Sequence, residues 1–322
     1  MTLPGLDGGS TYLKAALIGR GQVIDTMVRN TGIDNDGTAR KIAKELCRRN
    51  SLSPSDIGYI MATGYSRKVL EVADDDISEI TAHAYGVRLT APKEYRPGMI
   101  IDIGGQDSKI IYLDGNYGVK NFSMNDKCAA GTGKFMEVIA QILETTIDNV
   151  GPLSLQATNP CDINSTCVVF TQSEVISLVA RKYDRCDILA GMHLSMAKRI
   201  IKMMKKSEKG GDILMTGGGA LNTGLHHAFE EELMRDVYVA NYPQFNGAIG
   251  ELTTDNAKFT RYNDTTCYNY LSFKYTWTKG SLSEDDTVCV RAYLEYKDAD
   301  GSIKTVYSKE TKSASLGNLI TE

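Results

Sequence analysis

The chain contains two copies of one pattern, LDGGSTYLKAALIGRGQVIDTMV at residues 6–28 and IDIGGQDSKIIYLDGNYGVKNF at residues 101–122. In the first copy, Asp7 is followed two residues later by Gly9 and seven residues later by Lys14, and the second copy repeats this spacing. An apolar run, a glycine-containing turn and a further apolar run come next in both copies. Each copy therefore predicts a strand, a tight glycine-rich turn and a returning hairpin.

Helical patterns separate and follow the two copies. They carry apolar residues at three- and four-residue spacing, which is typical of amphipathic helices. A short buried strand, Ile213 to Thr216, leads into a glycine triplet and then into a helical pattern from Ala220 to Met234. The mixed order of elements predicts an α/β fold. The other predicted helices are Asp36 to Arg48, Gly131 to Leu143, Glu174 to Arg181 and Asp187 to Met204.

The composition changes near Thr253. Beyond it, strand-like alternation occurs at Leu271 to Trp277 and at Thr287 to Tyr296, and Asp298 to Gly301 gives a hairpin signal. The tail is therefore expected to be small and all-β, either a fused segment or part of a sandwich. The predicted organisation is an α/β unit at 1–252, with subdomains of about 1–95 and 96–252, followed by the tail at 253–322.

The overall composition excludes several classes of function. The 322 residues carry a formal net charge of -4 and no basic stripe, so nucleic acid is not an expected partner. No apolar run approaches the roughly 20 residues of a membrane helix. Asp7 interrupts any signal-peptide core, and the seven cysteines are an odd number without framework spacing. These features predict a cytoplasmic protein in a reducing compartment.

The two aspartate–glycine loops have a direct chemical use. Glycines let backbone N–H groups approach phosphate oxygens, and the carboxylates can hold Mg²⁺ through water. The sequence lacks GxxxxGK[ST] and GxGxxG, which excludes P-loop and Rossmann sites. The candidates at this stage are Asp7, Gly9, Asp102 and Gly104, with the hydroxyls of Ser10 and Thr11 for the β- or γ-phosphate.

Three segments, GLDGGSTYLK, IDIGGQDSK and LMTGGGALN, resemble the two phosphate loops and the adenosine loop of the acetate-kinase, sugar-kinase, Hsp70 and actin superfamily. The resemblance implies a duplicated ribonuclease-H-like fold of the actin/Hsp70 type, with ATP in the cleft between its halves. It implies catalytic roles for Asp7, Asp102 and Gln106, the last near the γ-phosphate. It implies nucleotide contacts from Gly9, Ser10, Thr11, Tyr12, Leu13, Lys14, Gly104, Gly105 and Gln106, and adenosine contacts from Gly217, Gly218 and Gly219.

Two cysteines lie shortly before predicted helices. Cys128 is in MNDKCAAGTGKF and Cys167 is in INSTCVVFTQSE. A helix dipole stabilises a thiolate, or an anionic cluster bound by thiolates, near its N-terminus. The residues alone also allow each cysteine to be a small buried hydrophobe.

A more specific resemblance covers about Gly5 to Gly250. The segments NDKCAAGTGKF, STCVVFTQSEVISL, GMH and PQFNGAIG are similar to activators of 2-hydroxyacyl-CoA dehydratases and to ATPase subunits of benzoyl-CoA reductase. The resemblance implies a homodimer whose Cys128 and Cys167 bind one [4Fe–4S] cluster between the subunits, and it puts Gln244 near the nucleotide. It further implies that ferredoxin or flavodoxin supplies an electron, which ATP and Mg²⁺ help to pass to the dehydratase or reductase.

Several alternatives stay open from the sequence. Cys161 and Cys186 could complete a cluster within one chain, although their contexts match no ligand position of that family. A small-molecule kinase, such as an N-acetylhexosamine kinase, would share the fold and would not need the cysteines. A surface adhesin would require an export signal, which the N-terminal sequence does not resemble. His83, His193, His226 and His227 show no ligand pattern.

Overall fold

The computed structural model describes residues 2–19, 21–53, 56–126, 131–163, 168–205 and 210–250, together with six short strands of the tail. The first sequence copy forms an antiparallel meander, β1 to β3, and two short strands extend the sheet in parallel with β1. The strand order is β3-β2-β1-β4-β5. The strands are β1 (Thr2–Gly8), β2 (Tyr12–Gly19), β3 (Gln22–Asn30), β4 (Met61–Thr63) and β5 (Asp75–Asp76).

The second copy builds a sheet of the same design. Its order is β10-β9-β6-β7-β8, with β6 to β8 antiparallel and β9 and β10 parallel to β6. Both meanders carry a bulge at the equivalent place, between Leu17 and Ile18 and between Tyr112 and Leu113. The predicted duplicated α/β fold is thus confirmed. The strands are β6 (Pro97–Ile103), β7 (Ser108–Leu113), β8 (Val119–Asn125), β9 (Asp212–Thr216) and β10 (Tyr238–Val239).

Polar caps start several of the helices. The Asp34 carboxylate accepts a hydrogen bond from Gly37 N, and Asn222 does the same for Leu225 N. The predicted helices are present with ends shifted by a few residues, whereas α2, α4 and α8 were not predicted. The helices are α1 (Asn35–Arg49), α2 (Glu79–Thr90), α3 (Gly133–Ile142), α4 (Ile147–Ser154), α5 (Val168–Ala180), α6 (Arg185–Ile201), α7 (Thr223–Leu233) and α8 (Asn246–Gly250).

The two halves of the fold exchange helices. From the first half, α2 packs Ala84 and Val87 against Ile100 of the second sheet. From the end of the second half, α8 packs Ala248 onto the first sheet. The two helices also touch each other closely, since a Cβ on Gly86 would collide with the Asn246 carbonyl. A division of the chain near residue 95 therefore separates the two sheets but not the helices that cover them.

In the tail, the described strands pair as three antiparallel couples, β11 with β12, β13 with β16 and β14 with β15. The β14–β15 couple flanks the predicted turn at Asp298 to Gly301, which lies outside the described residues. The expectation of β structure in this region agrees with these strands. They are β11 (Lys258–Arg261), β12 (Asn269–Ser272), β13 (Thr287–Cys289), β14 (Leu294–Lys297), β15 (Ile303–Val306) and β16 (Ser313–Ser315).

Candidate functional site

The seven-residue spacing between aspartate and lysine has a geometric cause. The aspartate ends the first strand of each meander, and the lysine is its direct cross-strand neighbour: Asp7 opposite Lys14, and Asp102 opposite Lys109. The Lys14 ammonium lies 2.8 Å from Asp7 Oδ2, and the Lys109 ammonium lies 3.3 Å from Asp102 Oδ2. Each half of the fold therefore presents an ion pair at the mouth of its glycine loop, partly buried in the first half and fully buried in the second.

The two loops meet in one cleft of about 480 Å³. Its walls come from the ends of β1 and β6, the start of α2, and helices α3, α4 and α7. Most of the sequence-predicted site residues lie in these walls. Those present are Asp7, Gly9, Ser10, Thr11, Tyr12, Lys14, Asp102, Gly104, Gly105, Gly217, Gly218, Gly219 and Gln244.

Two predicted residues lie elsewhere. The Leu13 side chain is fully buried in the core of the first half, because successive residues of a strand point to opposite faces and Lys14 takes the cleft side. Gln106 is exposed and does not line the cleft. The tight turn closed by the hydrogen bond from Gly104 N to Asp107 O instead places the Asp107 side chain in the wall.

Glycine is required at two loop positions where the backbone comes close to other atoms of the cleft. Gly217 has φ of +81°, and a Cβ there would lie 2.8 Å from Asp102 Oδ1. Gly9 in the first half is similar, since a Cβ would lie 2.8 Å from the Tyr12 carbonyl oxygen. Any side chain at these positions would displace the aspartate or the loop backbone.

A buried polar network that was not predicted surrounds Asp102. Lys109 is 1% exposed and its ammonium contacts Asp107 Oδ1 at 2.8 Å and Glu79 Oε1 at 2.9 Å, besides Asp102. The Thr216 hydroxyl donates to Asp102 Oδ1 over 2.9 Å, and His83 Nδ1 lies 3.6 Å from the same oxygen. The cleft floor is thus tied to α2 through two side chains.

The surroundings lower the pKa of Asp102 and raise the pKa of Glu79. Burial alone would raise the pKa of Asp102, but His83, Lys109 and the Thr216 hydroxyl more than offset it and lower the pKa to about 2. Burial raises the pKa of Glu79 above its ordinary value, and the charges of Asp7 and Asp107 add to the rise against the pull of Lys109. Asp102 is therefore a permanent anion, whereas Glu79 is a better proton acceptor.

The charge of the cleft favours a cation. Four carboxylates, those of Asp7, Glu79, Asp102 and Asp107, face the two ammonium groups of Lys14 and Lys109. Asp7 Oδ1 is buried and has no hydrogen-bond partner in the described part of the chain. An unpaired buried carboxylate oxygen in an anionic site suits Mg²⁺, which takes oxygen ligands and keeps several waters. The residues present thus fit a magnesium-bound phosphate chain.

Three further side chains of the cleft could bind a metal ion, but the Lys109 ammonium already contacts two of them. Ligand atoms of Glu79, His83 and Asp102 lie within 4.8 Å of one another. The Lys109 ammonium contacts both carboxylates of this set. It thereby supplies the positive charge that a metal ion would bring.

Tyr65 brings a phenol to the cleft wall from the turn after β4. Burial, followed by the negative charge of Asp107, raises the pKa of Tyr65 to about 12. The phenol therefore keeps its proton at neutral pH and faces a carboxylate of the other half. Sequence inspection gave no signal for this residue.

Cys128 and Cys167 lie outside the described residues, but the helices that follow them are defined. α5 begins at Val168, directly after Cys167, and α3 begins at Gly133. The start of α3 is tied to the second aspartate–glycine loop, because Gly133 N donates to Gly104 O over 2.8 Å and Lys134 N donates to Gly105 O over 2.9 Å.

Three other cysteines lie among the residues whose side chains the structure describes. Cys47, Cys161 and Cys186 are free thiols, and burial is the main cause that raises the pKa of each. For Cys161 and Cys186, the nearby Asp187 and Asp184 carboxylates raise it further. These three thiols stay protonated at neutral pH, which is unfavourable for metal ligation.

Within the described residues, no helix combines the length and the apolar character needed to cross a bilayer.

Comparison with known proteins identifies the relatives. The model of the BadF/BadG/BcrA/BcrD ATPase family matches residues 5–253. The activator of lactoyl-CoA dehydratase from Anaerotignum propionicum is 43% identical over 247 residues, which cover 76% of this chain and 94% of the relative. The (R)-2-hydroxyglutaryl-CoA dehydratase activating ATPase from Acidaminococcus fermentans is 39% identical over 248 residues, again 76% of this chain and 94% of the relative.

A solved structure of a dehydratase activator has a similar fold. The activator of the 2-hydroxyisocaproyl-CoA dehydratase from Clostridium difficile, with bound ADPNP, superposes with a TM-score of 0.73 at 38% sequence identity. The match covers 78% of this chain and 92% of that chain. The family resemblance expected from the sequence is confirmed.

Proposed function

The chain belongs to the BadF/BadG/BcrA/BcrD ATPase family, and from this premise we propose that it is an ATP-dependent electron-transfer activator. In this proposal a homodimer holds one [4Fe–4S] cluster between its subunits. It accepts an electron from ferredoxin or flavodoxin and passes it, at low potential, to an enzyme of the 2-hydroxyacyl-CoA dehydratase type.

The observation that carries the proposal is that a single family match covers both the nucleotide cleft and the two cysteine segments. The matched residues include the whole wall of the nucleotide cleft, from Asp7 to Gln244, and both cysteine segments. The relatives at 43% and 39% identity are named as activators of dehydratases. The relative of known structure holds ADPNP, which supports ATP as the ligand of this cleft.

Cys128 and Cys167 would hold the cluster, two thiolates from each protomer. A cluster with four irons usually takes four thiolates, and a two-fold axis supplies the missing pair. The cluster, when bound, supplies one-electron transfer. Cys161 and Cys186 suit this role less well, because their thiol pKa values are raised.

The backbone provides a route from nucleotide to cysteine. Gly104 and Gly105 line the cleft, and their carbonyl groups accept hydrogen bonds from Gly133 N and Lys134 N at the start of α3. Cys128 precedes this helix by five residues. A change in the loop when the γ-phosphate is lost would alter these hydrogen bonds and shift the segment that carries Cys128. A nucleotide influences a second site by such a differential contact between two states.

The experiment that tests the function is an anaerobic electron-transfer assay. The dithionite-reduced protein is mixed with lactoyl-CoA dehydratase from Anaerotignum propionicum, and dehydration of lactoyl-CoA is followed with ATP or ADP. Dehydration that needs ATP supports the activator. Phosphorylation of N-acetylhexosamine by a protein that binds no iron would support the kinase instead.

Removal of the tail from Thr253 onward is expected to leave ATP affinity within about twofold, because every residue of the cleft wall lies at or before Gln244. Titration calorimetry of residues 1–252 and of the full chain makes the comparison. If a folded 1–252 variant no longer bound ATP, the proposed boundary would be wrong.

A further inference from the structure

Glu79 is the first residue of α2 and lies in the cleft wall together with the two aspartate loops. We propose that Glu79 is the general base of ATP hydrolysis in this protein, the group that takes a proton from the attacking water. The proposal rests on the ATPase activity of the family and assigns a residue for the chemical step.

Accessibility distinguishes Glu79 from the other carboxylates of the cleft. The Glu79 side chain is 19% exposed, whereas the side chains of Asp7, Asp102 and Asp107 are each exposed by 4% or less. A general base must reach its water within hydrogen-bond distance. Among these four residues, Glu79 is therefore the one that cleft water can approach.

The Glu79 carboxylate is also held in place with one oxygen left for water. Its contacts with Lys109 Nζ, at 2.9 Å, and with His83 Nε2, at 3.9 Å, both involve Oε1. Oε2 has no hydrogen-bond partner within the described residues. Lys109 and His83 act as positioning residues, since both approach the same oxygen, Oε1, of the carboxylate.

The other cleft carboxylates are nearly buried and each is paired with a lysine, Asp7 with Lys14 and both Asp102 and Asp107 with Lys109. Asp102 accepts from Thr216 and Lys109, and its lowered pKa makes it a poor proton acceptor. Asp107 is bound to Lys109. The raised pKa of Glu79 is consistent with the opposite role, since catalytic carboxylate pairs often divide into an anion and a base. The charged and titratable groups that interact electrostatically with Glu79 are Lys109, His83, Asp7, Asp107, Lys14 and Tyr65, and Asp102 contacts the same Lys109 ammonium.

The step balances with ATP and water alone. The water oxygen forms a bond to the γ-phosphorus while the bond from that phosphorus to the β–γ bridging oxygen breaks. ADP leaves with the electron pair of the broken bond, and the proton of the water passes to Glu79. The partly exposed side of the carboxylate then returns the proton to solvent.

Glu79→Gln tests the proposal, because it keeps the shape of the side chain and removes its basicity. We expect turnover to fall by about 10²-fold, the usual contribution of a general base, while ATP affinity changes little. After incubation with ATP and acid quenching, chromatography of the protein-bound nucleotide should give ATP for the variant and ADP for the parent. Glu45→Gln is the matched control, since Glu45 is also a helical glutamate paired with a cation, Arg48, on the surface.

Each outcome decides a different point. Parent-level turnover in Glu79→Gln would overturn the assignment of Glu79, and so would equal losses of turnover and of ATP affinity. If Glu79→Gln does not fold, Glu79→Asp retains the charge beside Lys109 and should lose turnover about tenfold, since its carboxylate is one methylene shorter. Full turnover of a folded Glu79→Asp variant would also overturn the assignment. Absence of hydrolysis by the parent would instead contradict the ATPase activity on which the proposal rests.

Discussion

Replacement of Cys128 or Cys167 by serine is expected to abolish the iron–sulfur cluster completely. Each protomer supplies only two thiolates in the proposed site, so one substitution removes half of the four ligands of the dimer. The absorbance of the anaerobically reconstituted variants near 400 nm and their iron content measure the loss. Dimerisation should weaken as well, because the cluster bridges the subunits. ATP binding should persist, because both substitutions leave the described residues of the cleft wall unchanged.

Cys161→Ser and Cys186→Ser are the matched controls, because both residues are free thiols with a raised pKa. They should keep the cluster and the dimer. A full cluster in the Cys128 variant, or loss of the cluster in the Cys161 and Cys186 variants, would contradict the proposed ligand set.

Asp102→Asn should lower ATP turnover by about 10³-fold, a loss of roughly 4 kcal/mol of transition-state stabilisation. The substitution preserves shape but removes a permanent anion that pairs with Lys109 and accepts from Thr216. The proposed hold on Mg²⁺ would weaken, while the glycine loops should still bind nucleotide measurably. Steady-state hydrolysis over a range of Mg²⁺ concentrations, together with titration calorimetry, separates turnover from binding.

Asp114→Asn is the control for this variant. Asp114 lies in the same sequence copy, at the turn between β7 and β8, where its Oδ1 accepts from Asn116 N and Gly118 N. An asparagine can make the same two bonds, so hydrolysis should be unchanged. Hydrolysis at the parent rate by Asp102→Asn would show that Asp102 has no part in catalysis.

Much of the fold follows from local patterns. The interval between aspartate and lysine repeats because each pair faces across an antiparallel hairpin, and this register depends only on nearby residues. The glycine at Gly217 is likewise explained by its positive φ. Strand alternation alone also indicates that Leu13 points away from Lys14 into the core.

The network around Asp102 depends on contacts that no local pattern contains. His83 receives hydrogen bonds from Asn246, which is 163 residues away in the sequence. α2, which carries Glu79 and His83, packs against both α8 and the second sheet, so buried residues are spread around it and its amphipathic signal is weak. The sequence therefore predicted no helix here, and it indicated no role for Glu79 or His83.

The cysteines were identified by resemblance and not by physical chemistry. From the residues alone, the favoured interpretation of Cys128 and Cys167 is that of small packed hydrophobes. The described neighbours add one relevant fact, because the helix that follows Cys128 hydrogen-bonds to the phosphate loop at Gly104 and Gly105.

The iron content of the parent protein tests the central claim most directly. After anaerobic reconstitution and size-exclusion chromatography, a four-iron cluster shared by two chains gives about two irons per chain in a dimer. A colourless protein with no bound iron despite full iron supply would contradict the electron-transfer account. About four irons per chain would instead indicate a cluster held within each subunit.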